Sequence, residues 1–331
     1  MKKNRLYGVL VLMLIIATTL LVIMCKSNII PTKTQKIIDD NNTQPLPNSA
    51  ASFISNNIND EYNMNYDETA DDNIRYNGSN PNNYVLFNNE RWRIIGVFNN
   101  IETSDNNKTS LIKIMRSESI GKYTWDSSTN DVNSVYSGLG VNNWSTSDLM
   151  FLLNYGNYWN SSKGQCYVDK NNKTEPCDFT SIGLSENSKE LIEKVKWNIS
   201  SSNTSTLKAG SMYKKEHSNN TWTGYVGLIS PSDYGYASSK CANNTALNNY
   251  DIEACNYTNY IYETITNDVT EDLWTIMSDY KVNSKVYTVG KVMNKANTYD
   301  SRNVYPVVYL KENVKITSGS GSYVDPYILS I

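Results

Sequence analysis

Histidine is almost absent from this chain of 331 residues, which carries one, His217. That scarcity leaves His217 as the sole base for a Ser-His-Asp relay. It sits in KKEHSNN, which reads as an exposed polar loop with no Gly-x-Ser-x-Gly elbow nearby, so an acyl-transfer enzyme of that type is not expected. No Cys-x-x-Cys spacing occurs either, and with one histidine the usual ligand sets for zinc are missing. The chain has no phosphate-binding Walker loop, dinucleotide fingerprint or EF-hand loop. Charged residues make up only 19%, the formal net charge is -3, and no dense Lys/Arg stripe is present. Such a surface attracts phosphate backbones weakly, which excludes nucleic acid as an expected partner. No period of 20 to 50 residues repeats, which argues against a solenoid or propeller.

What is present is lopsided. Tyrosine (25) and tryptophan (7) far outnumber phenylalanine (5), and Asn, Ser and Thr are abundant. Tyr and Trp carry a polar handle and suit half-buried or wet binding surfaces. An AT-rich coding sequence inflates Asn, Lys, Ile and Tyr in the same way, so composition alone leaves both explanations open.

The first residues, MKKNRLYGVLVLMLIIATTLLVIMCKSN, place Lys2, Lys3 and Arg5 before an uncharged run from Leu6 to Cys25. That length matches the roughly 20 residues that cross a bilayer. The basic excess in front, against Lys26 behind, predicts a cytoplasmic N-terminus and an outward-facing remainder. Val-Ile-Met-Cys at Cys25 offers lipidation as an alternative, with Met24 where a small residue is expected. Residues 1–26 are thus expected to be a signal-anchor that meets the membrane through residues 6–25.

Four further cysteines fit an oxidising exterior. Cys166 and Cys177 flank one turn-rich loop, and Cys241 and Cys255 flank another. Four cysteines allow three connectivities. Two local bridges are the economical choice, each worth roughly 3 kcal/mol in loop entropy.

Residues 27–70 are polar, Asn-rich and broken by Pro31, Pro45 and Pro47, and read as a flexible stalk. The folded domain is expected over 71–331. YVLFNNERWRIIGVF contains two strand-like runs around Asn88-Asn89, and SLIKIMR supplies a third, together an antiparallel meander. Two helices follow. WSTSDLMFLLN starts with Ser145 and Asp148 in a capping-box-like spacing, and SENSKELIEKVKW sets Leu191, Ile192 and Val195 on one helical face. TWTGYVGLISPSDYGYAS reads as a strand that stops at Pro231 and passes into one helical turn, and strands return at 273–277, 285–289 and 304–310. Strands, then helices, then strands imply one α+β domain with small antiparallel sheets.

The chemistry-bearing candidates are few. Trp125-Asp126, Trp222 and the run Asp233-Tyr234-Gly235-Tyr236 set aromatic faces beside hydrogen-bonding groups, the chemistry of sugar or peptide recognition. The competing explanation is packing, with Trp222 and Tyr234 in the core and Asp233 capping a turn. Glu118, Asp126 and Asp233 are the acids that lie beside aromatics and could form a hydrolytic carboxylate pair, although caps and turn acids explain them too. Asp268, Glu271 and Asp272 could hold calcium, or simply stay solvated. No catalytic residue, resident metal or cofactor is expected.

Taken in order, DDNIRYNGSNPNNYVLFNNERWRIIGVF, YTWDSS, WSTSDLMFLLN, CDFTSIGL, WTGYVGLISPSDYGYAS and VYPVVYLKENVKITSGSGSYVDPYIL resemble the successive blocks of a family of uncharacterised, membrane-anchored surface proteins from low-GC Gram-positive gut bacteria. That family is similar in turn to the C-type-lectin-like fold of formylglycine-generating enzymes. The resemblance implies that Val307 and Tyr309 return beside Trp92 to Val97 and that SYVDPYIL adds an edge run. It departs at Tyr305, where family members tend to carry arginine, and at Trp274 to Asp279, where a serine-proline is usual. A reactive cysteine of the enzyme type needs a free thiol, which pairing of all four outer cysteines removes. The expected protein is a single-pass cell-surface protein with a C-type-lectin-like outer domain that binds a glycan or protein ligand. A surface carboxylate-dependent hydrolase and a structural envelope component are the alternatives.

Overall fold

Asn88 and Asn89 fold the strand Tyr84–Phe87 back onto the strand Glu90–Glu102, and Phe87 pairs with Glu90 across the turn. Both asparagines adopt positive φ, 55° and 60°, as a two-residue turn matched to strand twist requires. The computed structural model that shows this describes residues 42–58, 63–128, 140–204, 206–218, 220–266 and 272–331. The apolar run 6–25, and Asp268 and Glu271, lie outside them.

The strand Glu90–Glu102 is the spine of a nine-stranded sheet. One edge takes Lys108–Arg116, with Ile94 opposite Ile114; the other takes Tyr84–Phe87 and, further along, Ile74–Tyr76. Gly96 allows that second approach, because a Cβ there would lie 2.0 Å from the Ile74 carbonyl oxygen. Seven consecutive residues from Trp92 to Phe98 are buried, so the strand is covered on both faces and shows no alternation.

The C-terminal segments complete the sheet differently from expectation. Val307–Tyr309 pairs with Lys113–Met115, not with Trp92 to Val97, because Lys108–Arg116 already occupies that edge of the long strand. Tyr327–Ser330 runs parallel to Val85–Leu86 and antiparallel to Lys315–Ser318, so the tail is an inner strand and Lys315–Ser318 is the edge. A five-stranded sheet combines Met293–Asn297, Lys285–Val289, Leu273–Ser278, Ser301–Asn303 and Lys122–Thr124 in that order. Two ribbons stand beside these sheets, Val195–Asn198 with Thr221–Gly224 and Lys163–Asp169 with Lys173–Asp178. The chain is a mixed, sheet-dominated α+β protein.

Helices are short: the described residues hold seven, not two main ones. Asp148–Asn154 is capped by Ser147, whose hydroxyl accepts the Met150 N–H at 3.1 Å; Ser145 lies instead in a preceding 3-10 turn. The second expected helix shrinks to Glu186–Lys189, and Val195 and Trp197 turn inward from a strand. Pairing of that strand with Thr221–Gly224 overrides the apolar spacing that suggested a helix. Pro231–Tyr236 is the single turn expected after the proline stop.

The stalk expected over 27–70 is corrected for its described part. Ala50–Asn56 is a helix, capped by Ser49, that buries Ala50, Ala51 and Ile54, and the Ala50 N–H donates to the Val314 carbonyl at 2.6 Å. The compact unit therefore begins at Asn42, not near Asp71. A seven-residue amphipathic turn between prolines is too short to register as a sustained apolar period.

Both local disulfides form. Cys166–Cys177 staples the ribbon Lys163–Asp169/Lys173–Asp178, and Cys241–Cys255 closes the loop after Pro231–Tyr236. Their presence suits an extracellular or secreted domain. Among the described residues no helix is long and apolar enough to cross a membrane.

Candidate functional site

The six residues singled out for ligand binding do not form a surface. Trp125, Asp126, Asp233, Tyr234 and Tyr236 are buried, and Trp222 is half-buried. Trp125 packs on Trp144 at 5.0 Å and on Trp274 at 6.0 Å, and Trp144 meets Trp222 edge-on at 5.9 Å. These rings are core, which is where their large apolar area is worth most. The Tyr234 hydroxyl donates to the Gly290 carbonyl at 2.7 Å, holding the helix Pro231–Tyr236 against the second sheet.

Asp233 is the centre of a buried charge cluster. Near the start of its helix it accepts the Ser230 N–H at 2.9 Å. It also accepts Arg75 Nη1 at 2.5 Å and Lys113 Nζ at 2.5 Å. Asp67 takes Arg75 Nε at 3.0 Å. Burial alone would lower the Arg75 guanidinium, but Asp67 and Asp233 outweigh it and hold the cation above its ordinary value. Burial likewise lowers the Lys113 amine, here with Asp233 only partly opposing. For Asp233, burial acts upward and the two cations win, so its carboxyl lies below the usual range. Glu216 is pushed up to about 7 by burial and by Asp233, and accepts the Ser232 N–H at 2.8 Å. The cavity among these groups is about 20 Å³, room for about one water and no ligand. The cluster ties two strands to two helices and is structural.

Asp126 forms a different pair. Its Oδ2 accepts the Val141 N–H at 2.7 Å, and it is hydrogen-bonded to Asp148, whose Oδ2 accepts the Ser127 N–H at 2.8 Å. Burial, with Asp148 adding to it, pushes Asp126 up to about 7, and burial also raises Asp148. Asp148 borders a cavity of about 240 Å³ with Tyr123, Leu152 and Tyr167, and Asp126 is not among its lining residues. Carboxyls in hydrogen-bond contact stand closer than the roughly 5 Å that glycoside hydrolysis uses. The remaining acid, Glu118, lies elsewhere, and Asp272 is engaged by the Thr288 hydroxyl at 2.9 Å.

The site with room is a polar cleft of about 450 Å³ at the hairpin end of the large sheet. Arg91 and Arg93 reach it from one face of the strand Glu90–Glu102, while Trp92 between them points to Phe87 in the core. Ser117 and Glu118 follow the neighbouring strand, Glu263 and Thr264 come from the helix Tyr260–Thr266, and Tyr323 from the turn before the last strand. Arg91 is committed: its Nε donates to the Tyr323 carbonyl at 2.9 Å and its guanidinium stacks 4.2 Å from that ring. Glu90 is committed too, clamped by Arg116 through Nη2 at 2.5 Å and Nε at 2.7 Å.

Arg93 is enclosed by aromatic neighbours. It is 2% exposed and lies between the rings of Tyr84, its cross-strand partner, at 3.9 Å and Tyr260 at 5.0 Å. Its Nε and Nη2 have no hydrogen-bond partner. Burial lowers its pKa, against the pull of Tyr84, Tyr260 and Glu263. A buried cation with open donors is costly unless an anion meets it. Sequence reasoning missed this residue, although the alternation Arg-Trp-Arg on a strand marks a charged face opposite an aromatic one. Glu263, from a helix 170 residues further on, leaves no local signal.

No family model matches the chain, and no curated protein or solved structure matches it significantly.

Proposed function

We propose that this is a membrane-anchored cell-surface protein whose outer domain binds a glycan or protein ligand without carrying out chemistry on it. The carrying observation is the polar cleft of about 450 Å³ walled by Arg91, Arg93, Glu118 and Tyr323, large enough for a small ligand or the end of a larger one. The two disulfides support an outside location, and the charged N-terminus followed by the run 6–25 supports the anchor. A C-type-lectin-like architecture is part of the same proposal; the docking of the last strand beside Tyr84–Phe87, which brings the end of the chain onto its first hairpin, supports it. A surface hydrolase has the buried Asp126–Asp148 carboxyl pair in its favour and the pair's closeness against it.

Glycan arrays and protein capture with the full-length chain, wild type beside Arg93→Gln, test the reading. The wild type is expected to retain a ligand and Arg93→Gln to weaken it by about tenfold or more. A blank from both assays, or capture that ignores the substitution, contradicts it.

A further inference from the structure

A second pocket, of about 240 Å³, lies between the helix Asp148–Asn154 and the ribbon Lys163–Asp169/Lys173–Asp178 and shares no lining residue with the polar cleft. Asp148, Phe151 and Leu152 reach it from one helical face, spaced i, i+3 and i+4. Tyr167 and Thr174 are cross-strand partners on the ribbon, and Gln165 lies on their face two residues away. The Cys166–Cys177 bridge fixes that wall, so little ordering is left for a ligand to impose. Phe151 and Tyr167 leave 58% and 37% of their surfaces exposed, aromatic area that packing inside the fold does not use. Gln165 and Thr174 are exposed, and their side chains, like the Tyr167 hydroxyl, make no hydrogen bond among the described residues. No lysine or arginine lines the pocket, and its one carboxyl, Asp148, already accepts the Ser127 N–H and is hydrogen-bonded to Asp126. An anionic ligand would meet that carboxyl with no cation to offset it. A purely apolar side chain would strip water from Gln165 and Thr174 and return no hydrogen bond. A sugar ring meets both demands, with a C–H face for the negative faces of aromatic rings and hydroxyls at its edge for the amide and hydroxyl groups.

We infer that this pocket holds one neutral pyranose of a glycan, its C–H face against Phe151 and Tyr167 and its hydroxyls on Gln165 and Thr174. This rests on the ligand-binding function proposed above and specifies the ligand as a glycan, taken at a site separate from the polar cleft. The volume of about 240 Å³ is below the roughly 300–1,000 Å³ that sites for a whole drug-sized molecule occupy, which suits a single ring with the rest of the glycan outside.

Saturation-transfer NMR titration of the full-length chain tests it, with the methyl glycosides of glucose, galactose, mannose and N-acetylglucosamine as neutral probes and glucuronate as the anionic one. At least one neutral glycoside is expected to bind, and to bind more tightly than glucuronate. Phe151→Ala and Tyr167→Ala, each shown folded by its denaturation midpoint, should weaken that binding by about threefold or more apiece. Tyr155→Ala removes a ring that is 57% exposed on the same helix but outside the pocket, and should leave the affinity unchanged. No neutral glycoside binding, glucuronate binding most tightly, or Tyr155→Ala costing as much as Tyr167→Ala overturns the inference. A glycoside whose binding is lost in Arg93→Gln and kept in Tyr167→Ala belongs to the polar cleft, which overturns this pocket while leaving a ligand-binding surface protein in place. Failure of the array and capture experiments is what removes that broader function.

Discussion

Arg75 and Arg93 are two buried arginines on paired regions of one sheet, and they are treated in opposite ways. Arg75 donates to Asp67 and Asp233 and is held above its ordinary pKa; Arg93 lies between the rings of Tyr84 and Tyr260, and burial lowers its pKa against their pull and that of Glu263. Beside the first, Lys113 and Asp233 border a void of about 20 Å³; the second borders a cleft of about 450 Å³. Arg75 meets two carboxylates, although its Nη2 makes no hydrogen bond, whereas Arg93 meets none within ion-pair distance among the described residues.

The largest effect expected on this contrast comes from the satisfied side. Asp233→Ala strands Lys113 in the interior, leaves Arg75 with Asp67 alone, and should lower unfolding free energy by about 3–5 kcal/mol in denaturant titration. Acid–base behaviour gives the next largest effect. Glu216 and Asp126 are pushed up to about 7, so the folded chain holds protons that the unfolded chain releases near pH 4. Their contribution is present below about pH 4 and lost as pH rises to about 7, on the order of 1–3 kcal/mol. Asp233 lies below its ordinary value, so its contribution is present above about pH 4 and lost on further acidification. Stability should therefore be greatest at mildly acid pH, and Glu216→Gln should flatten the decline between about pH 5 and about pH 8 in paired denaturant titrations.

The open side should respond weakly in stability. Arg93→Met exchanges an unpaired buried charge for an apolar side chain and should leave unfolding free energy within about 1 kcal/mol of wild type, or above it. Glu118→Gln, on an exposed side chain, should change it by less than about 0.5 kcal/mol. A destabilisation by Arg93→Met as large as that of Asp233→Ala would erase the distinction between the two arginines.

Much of the fold was legible because its signals are local. Asn88-Asn89 announced a tight hairpin, Pro231 a strand stop, and the cysteine spacings two short bridges. Elements decided by distant partners were not. Val195–Asn198 carries helical spacing but pairs as a strand with Thr221–Gly224, and Ala50–Asn56 gains its place only by packing inside the domain. The site followed the same rule. Trp125, Asp233 and Tyr234 stand out in sequence because aromatics and acids are adjacent, yet that adjacency reflects packing and a helix start. The cleft is assembled from four separate segments, and the burial of Arg93 between Tyr84 and Tyr260 at its wall exists only in three dimensions.

The central claim is that Arg93 serves the cleft it borders and contributes little to the fold. Glycan-array and protein-capture binding by wild type and Arg93→Met, each shown folded by its denaturation midpoint, tests this most directly. The account predicts a folded Arg93→Met chain whose affinity has fallen by about tenfold or more. A folded variant that binds as tightly as wild type would contradict it.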